Sequence, residues 1–128
     1  MKIIESKYSK NQEGHYSPGV ISNGMLYVSG QLPIDFETGE IEAGGIKSET
    51  KKALENVDYV LKLAEITRNE VVKCNIYISD VNYWPKVNEV YKEFFKEHKP
   101  ARIVVPSNTL HRGCLVEIEV IAEVKEVI

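Results

Sequence analysis

The chain has 128 residues, of which 43% are hydrophobic and 27% charged, with a net charge of −3. These values are ordinary for one globular domain, and we predict a single domain spanning residues 1–128. The acidic balance excludes a broad basic surface, so neither nucleic acid nor an anionic membrane is an expected partner. No apolar run has the length of a membrane span, and the first residues lack a secretory signal, so we predict a cytoplasmic protein.

The first half of the chain predicts a short strand, a β-hairpin and a helix. The strand covers Lys2 to Ser6. Asn23 and Gly24 separate two strand-like runs, and both residues tolerate positive φ, which favours a two-residue hairpin turn. The helix is indicated by apolar residues at i, i+3 and i+4 spacing, namely Ala53, Leu54, Val57, Val60, Leu61 and Ala64.

The second half predicts a strand, a second helix and two final strands. Thr67 to Glu70 has the spacing of a capping box and precedes a strand from Val71 to Ser79. Asp80 or Asn82 is expected to cap the second helix, with Pro85 in its first turn. Four residues of the strand are predicted to share one face, namely Val72, Cys74, Ile76 and Ile78. The helix has an apolar stripe of Trp84, Val87, Val90, Tyr91, Phe94 and Phe95.

The order is strand, hairpin, helix, strand, helix and two strands, and this mixture predicts an α+β fold with two helices on one face of a sheet of about six strands. The two cysteines, Cys74 and Cys114, show no metal or redox spacing, and we expect both to be buried, reduced thiols. The three histidines are scattered. Neither a phosphate-binding loop nor a serine elbow is present, so the residues indicate no cofactor and no catalytic triad.

The last quarter, residues 100–124, holds two β-branched runs, and each carries a charge. Arg102 opens the first run and Glu117 lies early in the second. A guanidinium grips a planar carboxylate with two hydrogen bonds, and a carboxylate deprotonates water. The pair therefore suits a site that adds water to an organic acid. However, alternation puts Glu117 beside Glu119 and Glu123, and periodicity alone favours a solvated strand face.

Four more residues are candidates for a site. Tyr16 lies in a polar loop, Ser29 and Gly30 end a strand where a ligand could approach the backbone, and Asn88 lies off the centre of the second helix's stripe. Each also has an ordinary structural explanation: a packing tyrosine, a strand terminator or a surface amide. Taken singly, those explanations are favoured.

Taken in order, eight segments of the chain resemble the RidA/YjgF family, formerly labelled translation-initiation inhibitors or L-PSP-type endoribonucleases. They include Gly-His-Tyr-Ser-Pro-Gly at 14–19, Val-Ser-Gly-Gln-Leu-Pro at 28–33, and Val-Glu-Ile-Glu-Val-Ile-Ala at 116–122. The others lie at 38–40, 53–57, 72–80, 87–95 and 100–102. The resemblance covers essentially the whole chain.

The resemblance implies a chorismate-mutase-like fold, with a six-stranded mixed sheet, two helices on one face, and a homotrimer with ligand clefts between subunits. The implied activity is hydrolysis of reactive 2-imino or enamine acids, such as imines derived from 2-aminoacrylate, to 2-keto acids and ammonia, without cofactor or metal. Arg102 would hold the substrate carboxylate and Glu117 would position the water. The implied substrate-binding residues are Tyr16, Ser29, Gly30, Asn88 and Val104.

The chain departs from the family pattern at His15, Pro18, Ile103, Val104 and the Leu-His-Arg turn at 110–112. These departures leave the substrate range open. Two alternatives remain: a trimeric regulatory protein that binds a small carboxylate without turnover, and a ribonuclease. The lack of a basic or aromatic stripe argues against the ribonuclease.

Overall fold

The computed structural model describes residues 1–125, so the last three residues of the predicted domain lie outside the described residues. Its six strands are β1 (Lys2–Ile4), β2 (Gly19–Ser22), β3 (Met25–Gln31), β4 (Val71–Ile78), β5 (Ala101–Pro106) and β6 (Val116–Glu123). Its two α-helices are α1 (Ile46–Leu63) and α2 (Trp84–Phe95). Within the described part of the chain, no helix is both long enough and apolar enough to cross a membrane.

The strands form one sheet in the order β1-β2-β3-β6-β4-β5. β4 and β5 are parallel, and the other neighbours are antiparallel. The sheet is therefore mixed, as predicted. The two final strands are neighbours in sequence but not in the sheet, because β4 lies between β5 and β6. β6 is consequently a central strand.

Both helices cover one face of the sheet, which we call the helix face; the opposite face is the open face. Alternate residues of the central strands are buried on the helix face, among them Leu26, Val28, Cys74, Ile76, Ile78, Val116, Ile118, Val120 and Ala122. They pack against the stripes of α1 and α2. Since side chains alternate along a strand, the charged residues of β6 must lie on the open face.

Two local predictions are confirmed, and a third is not. Asn23 and Gly24 have φ values of 51° and 74°, as a two-residue hairpin turn of this kind requires. Thr67 and Glu70 form the capping box, at the start of a short 3-10 turn. The prediction that Asp80 or Asn82 caps the second helix is wrong: Asp80 caps the short 3-10 turn Val81–Tyr83, accepting a hydrogen bond from the Asn82 backbone at 2.8 Å, and α2 begins directly after that turn without a side-chain cap.

The prediction that Val72 faces the core is wrong. Val71 is 1% exposed and Val72 is 42% exposed. The register of β4 against β6 shifts between Val71 and Lys73, which is the signature of a β-bulge. The extra residue turns Val72 away from the core, whereas Cys74 and the two isoleucines after it keep their predicted face.

Buried polar side chains of α1 form hydrogen bonds with two segments, namely the loop after β3 and the residues just before β6. Asn56 Nδ2 donates to the carbonyls of Leu32 at 2.8 Å and Ile34 at 2.9 Å. The Glu49 carboxylate accepts a hydrogen bond from the Leu115 backbone at 2.9 Å. A buried polar group needs such a partner, because an unpaired one costs about 1–3 kcal/mol. These bonds fix the segments before β6 and after β3.

Candidate active site

A second bulge shapes the end of β3. Val28 pairs with Val120 and Gln31 pairs with Ile118, and the register shifts between them. Val28 and Gln31 therefore both face the helices, and Ser29 and Gly30 form the bulge. The Ser29 hydroxyl donates to the Ser17 carbonyl, and the Ser29 backbone donates to the Pro18 carbonyl at 3.0 Å. The bulge thus holds the loop that carries Tyr16.

Gly30 lies directly against Glu117. A Cβ atom added at Gly30 would meet Glu117 Oε2 at 2.5 Å, which is closer than real Cβ contacts come. A larger residue at position 30 would therefore displace the Glu117 carboxylate from its place against the backbone. This contact gives a physical reason for a glycine at the strand end.

A cavity of about 1060 Å³ contains this contact. Four of the predicted site residues line it, namely Tyr16, Ser29, Gly30 and Glu117. Tyr16 is 55% exposed, so its ring stands at the rim rather than in the core. The structure therefore brings the tyrosine, the strand end and the glutamate together, and Glu117 is partly buried in a cavity rather than on a fully solvated face.

Ionisable side chains that are not among the predicted site residues also line the cavity, among them Glu119, His111 and Arg112. Arg112 has φ 56° and ψ 23° and donates from Nη1 to the Gly39 carbonyl at 2.9 Å. Its bond ties the loop before β6 to the loop after β3. The departure from the family pattern at residues 110–112 is the sequence signal that points to His111 and Arg112.

The electrostatics of the cavity centre on two carboxylates of β6. Burial raises the pKa of Glu117, the charge of Glu119 raises it further, and His111 opposes them. Glu119 Oε1 accepts hydrogen bonds from Asn75 Nδ2 at 3.0 Å and from the Tyr77 hydroxyl at 2.9 Å. Two neighbouring carboxylates resist ionising together. Glu117, with its pKa raised, is therefore the better proton acceptor near neutral pH.

Arg102 lies on the other side of the sheet. It pairs with Cys74, whose side chain is buried on the helix face, whereas Glu117 pairs with Tyr77 on the open face. Arg102 Nη1 donates to Asn88 Oδ1 on α2 at 2.9 Å. Val104 shares the helix face and packs against the core. Within one chain, the predicted residues thus form two groups: Arg102, Asn88 and Val104 in one place, and the cavity residues in another.

Neither a metal nor a thiolate is indicated at either group. In residues 1–125 no three His, Cys, Asp or Glu side chains are grouped to hold a metal ion. Burial raises the pKa of the Cys74 thiol beside Arg102 to about 12. Cys74 is therefore protonated near neutral pH and does not act as a nucleophile.

Known proteins resemble this chain in both fold and sequence over nearly its whole length. The family model described as Endoribonuclease L-PSP matches residues 8–124. Among solved structures, YyfA of Yersinia pestis, from the conserved Rid protein family, is 41% identical with a TM-score of 0.90, covering 96% of this chain and 98% of that one. Escherichia coli TdcF, solved with bound serine, is 34% identical with a TM-score of 0.89, covering 98% and 100%.

Curated relatives give the same result. A RutC family protein of Pyrococcus horikoshii is 40% identical over 121 residues, which is 94% of this chain and 96% of the relative. The human protein named 2-iminobutanoate/2-iminopropanoate deaminase is 35% identical over 121 residues, covering 94% and 88%. The protein thus has an α+β fold with a cavity beside a central strand of its sheet. The chain belongs to the RidA/YjgF family.

Proposed function

We propose that this chain is a deaminase that hydrolyses 2-imino acids to 2-keto acids and ammonia, and acts on enamines through their imine tautomers. The observation that carries the proposal is the partly buried Glu117, which lies against the Gly30 backbone with its pKa raised. A carboxylate in that state is suited to take a proton from water near neutral pH. The human relative that is named a deaminase supports the same reaction.

In the proposed reaction the substrate carboxylate pairs with the Arg102 guanidinium. Glu117 takes a proton from water as the water oxygen bonds to the C=N carbon, and the nitrogen takes a proton from solvent, which gives a carbinolamine. Glu117 then returns its proton to the amino nitrogen and the hydroxyl loses its proton to solvent. The C–N bond breaks as the C=O bond forms, so that ammonia leaves, the keto acid remains and Glu117 is again a carboxylate. Imines hydrolyse readily, so positioning and acid–base assistance are sufficient without a nucleophile or cofactor.

The separation of Arg102 from Glu117 leads us to propose that each site is completed by a second copy of the chain, within a homotrimer. The open face supports this assembly. Ile3, Val20, Tyr27 and Ile121 form a row of cross-strand neighbours on that face, and Ile3 and Tyr27 are 51% and 48% exposed. An exposed apolar row of this kind marks a protein interface.

The second candidate is a protein that binds a small amino or keto acid without turnover. The serine bound in the Escherichia coli relative favours it. A ribonuclease is disfavoured, because Glu117 and Glu119 would repel phosphates and the net charge is −3. We place the protein in the cytoplasm, since Cys74 and Cys114 are both free thiols, as in a reducing compartment.

The two candidates are separated by turnover. With 2-iminopropanoate generated in situ from alanine by an oxidase, we expect ammonia release to exceed the spontaneous rate in proportion to the protein added. Glu117→Gln should lower that excess about 100-fold. Binding of pyruvate without any acceleration would instead identify a binding protein.

A further inference from the structure

Arg102 is held by three residues of one helix. Trp84, Asn88 and Tyr91 stand at i, i+4 and i+7 positions of α2, which places them on one side of the helix. Arg102 Cζ lies 5.4 Å from the centre of the Trp84 ring and 4.7 Å from that of Tyr91. Its Nη1 atom donates to Asn88 Oδ1 at 2.9 Å. We call these three residues the arginine cradle.

The cradle limits how the guanidinium can turn. Both rings lie within the range of a cation–π contact, which is about 6 Å. The amide of Asn88 fixes one end of the guanidinium plane. Nε and Nη2 form the other edge, and a guanidinium edge of that kind pairs with a carboxylate through two parallel hydrogen bonds. The cradle therefore orients the group as well as retaining it.

The two rings of the cradle differ in exposure. Tyr91 is 7% exposed and belongs to the core, and burial raises the pKa of its hydroxyl, so it stays neutral. Trp84 is 41% exposed, although a ring of this size is usually buried when its role is packing. Its position beside the Arg102 charge gives a reason for that exposure.

We propose that Trp84 is a positioning residue for substrate binding. Together with Asn88 and Tyr91 it orients Arg102, and its exposed ring forms one wall of the site that binds a 2-keto or 2-imino carboxylate. Asn88 then acts through Arg102 rather than by touching substrate. The inference rests on the proposed function in one respect, the class of ligand. It does not require that the bound acid be turned over.

Trp84 is also the one tryptophan of the 128-residue chain, so its fluorescence reports on this place directly. The test titrates 2-oxobutanoate into the full chain and records both the fluorescence and the Kd by calorimetry. We expect a saturable fluorescence change in the wild type. Trp84→Leu, which removes the ring and keeps an apolar side chain, should raise the Kd and the KM about ten-fold and leave kcat within about two-fold. Trp84→Phe should recover most of the affinity.

The same helix offers a matched control. Phe94 packs against Arg68, whose Cζ lies 3.8 Å from its ring and whose Nη1 donates to the Phe94 carbonyl at 2.8 Å. Phe94→Leu removes an arginine–aromatic contact of the same kind and should lower Tm without changing the Kd. If Trp84→Leu likewise lowers Tm and leaves the Kd unchanged, Trp84 is structural and the inference is wrong.

Two further outcomes separate this inference from the deaminase proposal. Binding that depends on Trp84, with no imine hydrolysis, would refute the enzyme and keep the positioning role. Imine hydrolysis by Trp84→Leu with a KM equal to that of the wild type would keep the enzyme and refute the positioning role. A wild-type chain that binds no 2-oxobutanoate at millimolar concentration would overturn the positioning inference, whereas the deaminase proposal is decided by imine turnover.

Discussion

Arg102 and Glu117 project from opposite faces of one sheet, although only β4 lies between the strands that carry them. Arg102 pairs with the buried Cys74, and Glu117 pairs with Tyr77 on the open face. The sheet therefore separates the two side chains within one chain. If the proposed reaction needs both, we expect one residue to come from each of two copies.

Arg102 should dominate substrate binding. Arg102→Ala and Arg102→Lys are both expected to lower kcat/KM by about 100-fold or more, because alanine removes the charge-assisted hydrogen bonds and lysine cannot make the two-point contact. Steady-state kinetics with unchanged circular dichroism provides the check. Near-normal kcat/KM in the lysine variant would refute the assignment.

Gly30→Ala should slow the reaction more than it weakens the fold, since the new Cβ would meet Glu117 Oε2 at 2.5 Å and displace that carboxylate. Because the end of a flexible side chain can move aside, the loss of unfolding free energy should lie at the low end of the roughly 1–3 kcal/mol typical of overpacking. Urea denaturation of Gly30→Ala in the Glu117→Ala background supplies the control. There the clash is absent, and the alanine at position 30 should be tolerated. An equal loss in both backgrounds would show that the clash with Glu117 is not the cause.

The acid limb of the pH profile should follow Glu117. As a base it must be ionised, so kcat/KM falls as pH drops through its pKa, which burial and Glu119 raise and His111 lowers. Glu119→Gln removes the raising charge and should move the limb to lower pH. His111→Gln removes the lowering charge and should move it to higher pH. Shifts in the same direction, or none, would contradict this electrostatic account.

Glu119 was expected from the sequence to be an ordinary solvated residue of β6. It lines the cavity and accepts hydrogen bonds from Asn75 and Tyr77 instead. Glu119→Gln is therefore not expected to leave the rate unchanged, and it cannot serve as the control for Glu117→Gln. A substitution outside the cavity, for example at the exposed Val81, is a better control.

Glu49 should make stability depend on pH. Burial raises its pKa in the folded chain, against the opposing effect of the Leu115 hydrogen bond. The folded state then holds the proton more tightly, so this contribution to stability is complete below the unfolded pKa and is lost as pH rises through the folded one.

Glu49→Gln keeps an acceptor without the charge and should remove that part of the pH dependence. Glu49→Ala leaves the Leu115 N–H unpaired and should lower the unfolding free energy by about 1–3 kcal/mol. Urea denaturation at pH 5 and pH 8 measures both effects. A glutamine variant whose stability still falls with pH as steeply as the wild type would exclude Glu49 as the source.

Local features of this fold could be predicted from the sequence because each depends on neighbours along the chain. The Asn23-Gly24 turn and the capping box at Thr67 are of this kind, and so is the alternation of β6. The strand order could not be predicted, since the insertion of β6 between β3 and β4 depends on pairings between residues far apart.

The candidate site shows the same division. The resemblance identified residues, but no local pattern indicates that Arg102 and Glu117 face opposite ways, because that depends on the register of three strands. The bulges at Val72 and at Ser29-Gly30 are also products of register. The arginine cradle could not be predicted from the sequence, because Trp84 and Tyr91 also fit the apolar stripe of an ordinary helix.

The most direct test of the two-copy site mixes two inactive variants. Arg102→Ala lacks the carboxylate anchor and Glu117→Gln lacks the base, and each alone should be nearly inactive. When the two chains are refolded together in equal amounts, a cleft built from two copies draws each residue at random. About a quarter of the clefts should then hold both native residues, and about a quarter of wild-type activity should return. If the mixture stays as inactive as its components while mixed oligomers form, the site lies within one chain and the account is wrong.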